Sequence, residues 1–185
     1  MRNVELTKQR ILEAATREFS EHGFHGARVD RIAANASANK ALIYSYFGNK
    51  EKLFEEVYRE IMQQVVRDVP MDTSDLPGYL ARRLDWQYQN PALARIVTWG
   101  TLELPGFPES TRALEVRQHK TALIAQAQDA GAIGKSFEPE QVLALIDALA
   151  RPQLTLHGQA AISEATFLEY KQTAIKALRA LISPD

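Results

Sequence analysis

The sequence predicts an all-α protein of about nine helices, with an N-terminal three-helix unit holding a helix-turn-helix and a C-terminal helical bundle. Three observations carry this. Apolar residues recur three and four positions apart along nearly the whole chain. No stretch alternates with a period of two, so strands are not expected. Gly, Asn-Pro and Pro-Gly breaks fall at helix-length intervals.

The first helix is expected from Thr7, as its N-cap, to His22, with Gly23 as the stop. Ile11, Ala15 and Phe19 form its buried stripe, with Leu12 beside them. After Phe24-His25-Gly26, a short second helix sets Val29, Ile32 and Ala33 on one face. Asn35-Ala36-Ser37-Ala38 interrupts it, and Asn39 caps a third short helix whose Ile43 and Phe47 point inward. Gly48-Asn49 ends that helix. Asn49 caps a fourth, with Leu53, Phe54, Val57, Ile61 and Val65 on its apolar side before Pro70. The stretch 70–77 reads as a linker, and helices are expected next over about 78–89, 91–104 and 110–130. The apolar segment 139–157 reads as a helix kinked at Pro152, and Ser163 caps a last helix to about Ile182. The resulting plan is a helix-turn-helix domain over 1–48 (the motif itself about 28–47), a connecting helix over 49–69 and a C-terminal domain over 70–185.

Composition narrows the function. The 185 residues carry 22 Lys+Arg, 23 Asp+Glu and no Cys, which excludes disulfides, thiolate metal sites and a Cys nucleophile. With no long apolar run and a polar N-terminus, a cytoplasmic protein without a membrane span is expected. Motifs of nucleophilic hydrolases, zinc peptidases and phosphate-binding loops are missing, so neither an enzyme nor a cofactor is expected. His22 and His25 flank the Gly23 break with no third ligand beside them, and no metal is expected. From Phe24 to Lys50, however, Asp30 is the sole acid against Arg28, Arg31, Lys40 and Lys50. This local basic window coincides with the helix-turn-helix.

That coincidence has a physical purpose. The third helix, wedged by Ile32, Ile43 and Phe47, offers Lys40, Ala41, Leu42, Tyr44, Ser45 and Tyr46 outward, where it can enter a DNA major groove. Tyr44, Lys50 and the helix starts at Thr7, Asn39 and Asn49 supply donors for phosphates.

The run Thr7–Val57 resembles the DNA-binding domain of the TetR (tetracycline-repressor-like) family. Ile11-Leu12-x-Ala14-Ala15, Phe19, Gly23-Phe24, Val29-x-x-Ile32-Ala33, Tyr44-x-x-Phe47 and Lys50-x-x-Leu53 carry the likeness. The resemblance implies a homodimer whose paired third helices read a palindromic operator on double-stranded DNA, with a C-terminal ligand-binding and dimerisation domain. By that correspondence Lys40, Ala41, Leu42, Ser45 and Tyr46 fall at recognition positions, and Tyr44 and Lys50 at DNA-contacting ones. Three departures stand out. Ser37 replaces the usual turn Gly, so a non-Gly residue must adopt a left-handed backbone. Arg28 replaces a capping Ser or Thr and is free to reach a phosphate. Ala41 and Leu42 shift base reading toward thymine methyls.

Two features mark the C-terminal region. Val142, Ile146 and Leu149, together with Phe167, Ala174, Ile175, Leu178 and Leu181, make apolar faces wider than one small bundle covers. A dimer interface built as a four-helix bundle is expected, with ordinary intrachain core as the alternative. Trp86, Trp99, Glu103 and Phe107 fall close together in sequence and suit a pocket for an aromatic or cationic small molecule, or else are core filler. The expected function is a ligand-responsive DNA-binding repressor. The alternative is a DNA-binding organiser or protein-interaction module with no small-molecule ligand.

Overall fold

A computed structural model describes residues 2–104, 111–151 and 163–183. Among the described residues it has nine α-helices and no strand: α1 (Arg2–Gly26), α2 (Val29–Asn35), α3 (Lys40–Phe47), α4 (Lys50–Asp68), α5 (Leu76–Gln89), α6 (Pro91–Glu103), α7 (Thr111–Asp129), α8 (Pro139–Leu149) and α9 (Glu164–Ile182). The chain divides into two compact units, Met1–Val65 with Asn90–Pro108, and Val66–Gln89 with Glu109–Asp185. Helix α6 therefore groups with the N-terminal helices, although its sequence position places it in the C-terminal domain. Among the described residues no helix is long and apolar enough to cross a membrane.

The first unit is built on an aromatic cluster. Phe54 meets Phe19 edge-on at 4.9 Å and Phe24 at 5.5 Å between ring centroids. Such pairs add about 1 kcal/mol each beyond the area they bury. Ile11, Ile32, Ile43 and Leu53 are buried in the same unit with almost no exposed surface. Helix α6 lies along α1, where the Arg95 Nε–H donates to the Ser20 carbonyl at 3.0 Å.

The second unit is held by α5, whose side chains reach α7, α8 and α9. Arg83 pairs with Asp147 at 2.5 Å, Lys171 with Asp85 at 2.6 Å, and Lys120 donates to the Tyr79 hydroxyl at 3.0 Å. The Tyr88 ring stacks on Phe167 at 4.2 Å. Gln128, buried near the end of α7, donates to the carbonyls of Gly134 and Phe137 and so fixes the turn leading to α8.

Several expectations need correction. Helix α1 starts at Arg2 rather than at Thr7, because Val4, Glu5 and Leu6 are all compatible with a helix that continues upstream. Thr7 therefore lies inside the helix and not at its start. Helix α5 begins at Leu76, since Pro77 is tolerated in a first helical turn, and the stretch before it contains a 3-10 turn over Thr73–Asp75. Helix α8 stops at Leu149, before the proline that was expected to kink it. A residue preceding proline is pushed out of helical geometry. Pro152 itself and the break beyond Leu104 lie outside the described residues.

The expected dimer face is corrected most. Val142, Ile146, Phe167, Ala174 and Leu178 are buried within their own chain. A side chain already covered by its own subunit has no surface left for a partner, so these five form intrachain core. Leu149, Ile175 and Leu181 are half-buried, and Leu168 on α9 is 44% exposed.

Candidate nucleic-acid interface

The geometry of the helix-turn-helix follows from local chemistry. Helix α2 buries Val29, Ile32 and Ala33. It closes through Ala36 N–H to the Ile32 carbonyl at 2.9 Å and Ala38 N–H to the Ala33 carbonyl at 2.9 Å. Ser37 in that turn has φ 49°, the left-handed backbone expected of it. Asn39 caps α3, its Oδ1 accepting the Leu42 N–H at 2.7 Å, and Asn49 caps α4 through the Lys52 N–H at 2.8 Å. Ile43 is 1% exposed and pins α3 from beneath. Lys40, Ala41, Tyr44 and Ser45 are exposed on the other side, while Leu42, Tyr46 and Phe47 are half-buried. Phe47 is thus less deeply inserted than its spacing suggests.

The cations are not equivalent. Lys40 pairs with Asp30 at 3.0 Å, and the hydrogen bond and charge of Asp30 raise its pKa. Both partners are exposed, so solvent or a phosphate can exchange for the pair easily. Lys50 is directed inward, with its Nζ donating to the His25 carbonyl at 3.3 Å and lying 4.9 Å over the Phe24 ring. Burial lowers its pKa, against the opposing charges of Glu103 and Glu18. Arg31 Nη2 meets the buried Glu18 at 2.6 Å, so its charge is paired although its side chain is half-exposed. Arg28 is exposed at the start of α2 and makes no side-chain cap.

Glu18 was not visible as a functional residue in the sequence. It ties down the residue that leads into α2: its Oε1 accepts the Arg28 N–H at 2.8 Å as well as the Arg31 guanidinium. Burial pushes its pKa up, but the Arg31 and Arg28 hydrogen bonds outweigh that and leave it lowered.

Of the residues expected in a ligand pocket, Trp86 falls in the second unit and Trp99 and Glu103 in the first. Trp86 Nε1–H donates to Asp68 at 3.0 Å within the second unit. Trp99 and Glu103 meet at Gly23 in the first unit, where the Glu103 carboxylate accepts the Phe24 N–H at 2.5 Å and the His25 N–H at 3.0 Å. Phe107 lies outside the described residues. An open groove of about 390 Å³ runs between α1 and α4 in the first unit, lined by Leu12, Glu13, Arg17, Val57, Glu60 and Ile61 among others. Burial and the nearby Glu56 raise the pKa of Glu60 on its wall.

A short capped helix held outward over a buried Ile43, among exposed cations, defines a helix-turn-helix DNA-binding regulator. Residues 11–57 match the bacterial regulatory proteins of the tetR family, and residues 75–182 match the tetracyclin repressor-like C-terminal domain. The chain belongs to the TetR family of transcriptional regulators. It is 41% identical over 152 residues to the HTH-type transcriptional repressor SCO4008 of Streptomyces coelicolor, across 80% of this chain and 79% of that protein. With the repressor NicS of Pseudomonas putida it shares 35% identity over 99 residues, 49% of this chain and 46% of the relative. The crystal structure of SCO4942 from Streptomyces coelicolor, described as a transcriptional regulator, superposes with a TM-score of 0.80 at 32% identity, covering 97% and 99% of the two chains. The protein is therefore a DNA-binding regulator, not an enzyme.

Proposed function

We propose that the protein is a repressor that binds a palindromic operator as a homodimer and releases it when a small molecule occupies the second unit. The observation that carries the reading is the outward face of α3: Lys40, Ala41, Tyr44 and Ser45 exposed around a fully seated Ile43. Such a helix meets base edges, while Arg28 and the capped starts of α3 and α4 meet phosphates. Two heads spaced by about 34 Å, one turn of duplex, require a palindrome. The exposed Leu168, with half-buried Ile175 and Leu181 on the same helix, supports a subunit contact along α9. In a bacterial cell the operator, and with it the protein, is cytoplasmic.

The likeness of residues 75–182 to the tetracyclin repressor-like C-terminal domain supports an effector in the second unit. Glu103, the carboxylate expected to attract a cation, is taken by backbone amides. In the second unit Tyr79 is buried beneath Lys120 and Arg83, and Arg83 is paired with Asp147, so these groups hold the bundle together. Selection from random-sequence duplexes tests the first half of the reading, and a palindromic consensus is the expected result. An inability to enrich any sequence at moderate salt would overturn it. Release of the selected duplex by a panel of aromatic acids and aromatic amines tests the second half. No release by either class would favour an organiser without a ligand.

A further inference from the structure

The leading and trailing ends of the helix-turn-helix meet at one peptide pair. Gly23 breaks α1 with φ 68° and ψ −176°, and the five residues after it carry the chain to α2. The trailing end returns to the same place, because Lys50, the first residue of α4, donates to the His25 carbonyl and covers the Phe24 ring. The N–H groups of Phe24 and His25 both donate to Glu103 Oε2, 79 and 78 positions along the chain. There is no spare room in this joint. A Cβ on Gly23 would sit 3.0 Å from Glu103 Oε1 and 3.2 Å from the Trp99 ring.

We propose that Glu103 is a positioning residue for DNA recognition: from the last turn of α6 it locks the Phe24–His25 peptides, and with them both ends of the helix-turn-helix. The carboxylate receives two N–H groups that the break at Gly23 removes from the helical ladder, and charge-assisted bonds of this kind are the stronger ones. Lys50 holds the next peptide through the His25 carbonyl and lies over the Phe24 ring. A shift of the 24–25 backbone therefore moves the start of α2 and the start of α4 together, and carries α3 between them. Base contacts demand closer placement than phosphate contacts do, so loosening the joint lowers selective binding more than non-selective binding.

The test compares Glu103→Ala and Glu103→Gln with the full-length wild-type chain. The probes are a duplex selected by the wild type from a random pool and an unrelated duplex of the same length. Folding of each variant at the working temperature is checked by circular dichroism. Glu103→Ala is expected to lose about tenfold in affinity for the selected duplex and much less for the unrelated one. Glu103→Gln, whose amide oxygen still accepts N–H bonds, should recover most of the loss. A folded Glu103→Ala variant with an unchanged ratio of selected to unrelated binding would overturn the proposal. If Glu103→Ala does not fold, amide exchange at Phe24 and His25 decides: slow in the wild type and faster in Glu103→Gln supports the joint, whereas free exchange in the wild type sinks it. A wild-type chain that selects no duplex would count against the operator reading, and the same exchange measurement would still judge the joint.

Discussion

The carboxylate of Glu18 and the guanidinium of Arg31 meet at 2.6 Å beneath the first turn of α2, with the carboxylate buried and the guanidinium half-exposed. The same oxygen receives the Arg28 N–H, so one buried charge holds both the guanidinium and the backbone just before α2. Replacing Glu18 by Ala leaves the amide bare and the guanidinium unpaired. After allowing for solvent around Arg31, the expected loss is about 2 kcal/mol, read as a lower denaturant midpoint. No change would show that water substitutes for the carboxylate without cost.

Acid should weaken the same contact. In the folded chain the Glu18 carboxyl is held below the ordinary value of 4.5, so as pH falls the unfolded chain takes up the proton first. The stabilisation is complete above that ordinary value and drains away as pH drops through the lower folded one. Thermal melts from pH 6 down to about pH 3 should show a steeper decline for the wild type than for Glu18→Gln. Parallel curves would remove Glu18 from the acid response.

Arg28 and Arg31 should separate in salt titrations of DNA binding. Arg28→Ala is expected to flatten the slope of log affinity against log salt by about one unit, the effect of a lost phosphate contact. Arg31→Ala should lower thermal stability with little change in slope, because its charge is already matched by Glu18. Equal slopes for both variants would mean that neither, or both, touch phosphate.

Leu178 and Leu168 answer different questions although both lie on α9. Leu178 is 0% exposed, so Leu178→Asp buries an unpaired charge and should abolish folding rather than divide a dimer. Leu168 is 44% exposed, and Leu168→Asp should leave circular dichroism intact while shifting sedimentation toward monomer. A folded Leu168→Asp dimer would place the subunit contact elsewhere.

Ser37 carries the left-handed backbone of the helix-turn-helix turn without the freedom of Gly. Ser37→Gly should stabilise the chain by about 0.5 kcal/mol, with the relief of strain partly offset by a looser unfolded chain. A lower melting temperature would show that the Ser side chain contributes more than its backbone costs.

What could be read from the sequence was short-range. The conformation of Ser37 followed from the family resemblance at that turn, whereas Asn39 and Asn49 announce themselves because caps depend on neighbours within four positions. Ile43 was legible for the same reason. Glu18 was not, since its acceptor role is created by a chain reversal that brings residue 28 back over residue 18. Nor was Glu103, whose partners lie about eighty positions upstream. Apolar periodicity located Phe167 and Leu178 correctly on a buried stripe, but periodicity does not distinguish a cover from the same chain from a cover by a second copy. Thr7 misled because a capping residue type also tolerates a helix interior.

The grouping of residues 90–104 with the N-terminal helices bears on protein engineering. A hybrid regulator spliced at the linker near Pro70 would inherit a reader stripped of Arg95, Trp99 and Glu103. Grafts intended to pair this specificity with a foreign sensor need to transplant α6 together with the first four helices, or supply an equivalent strut.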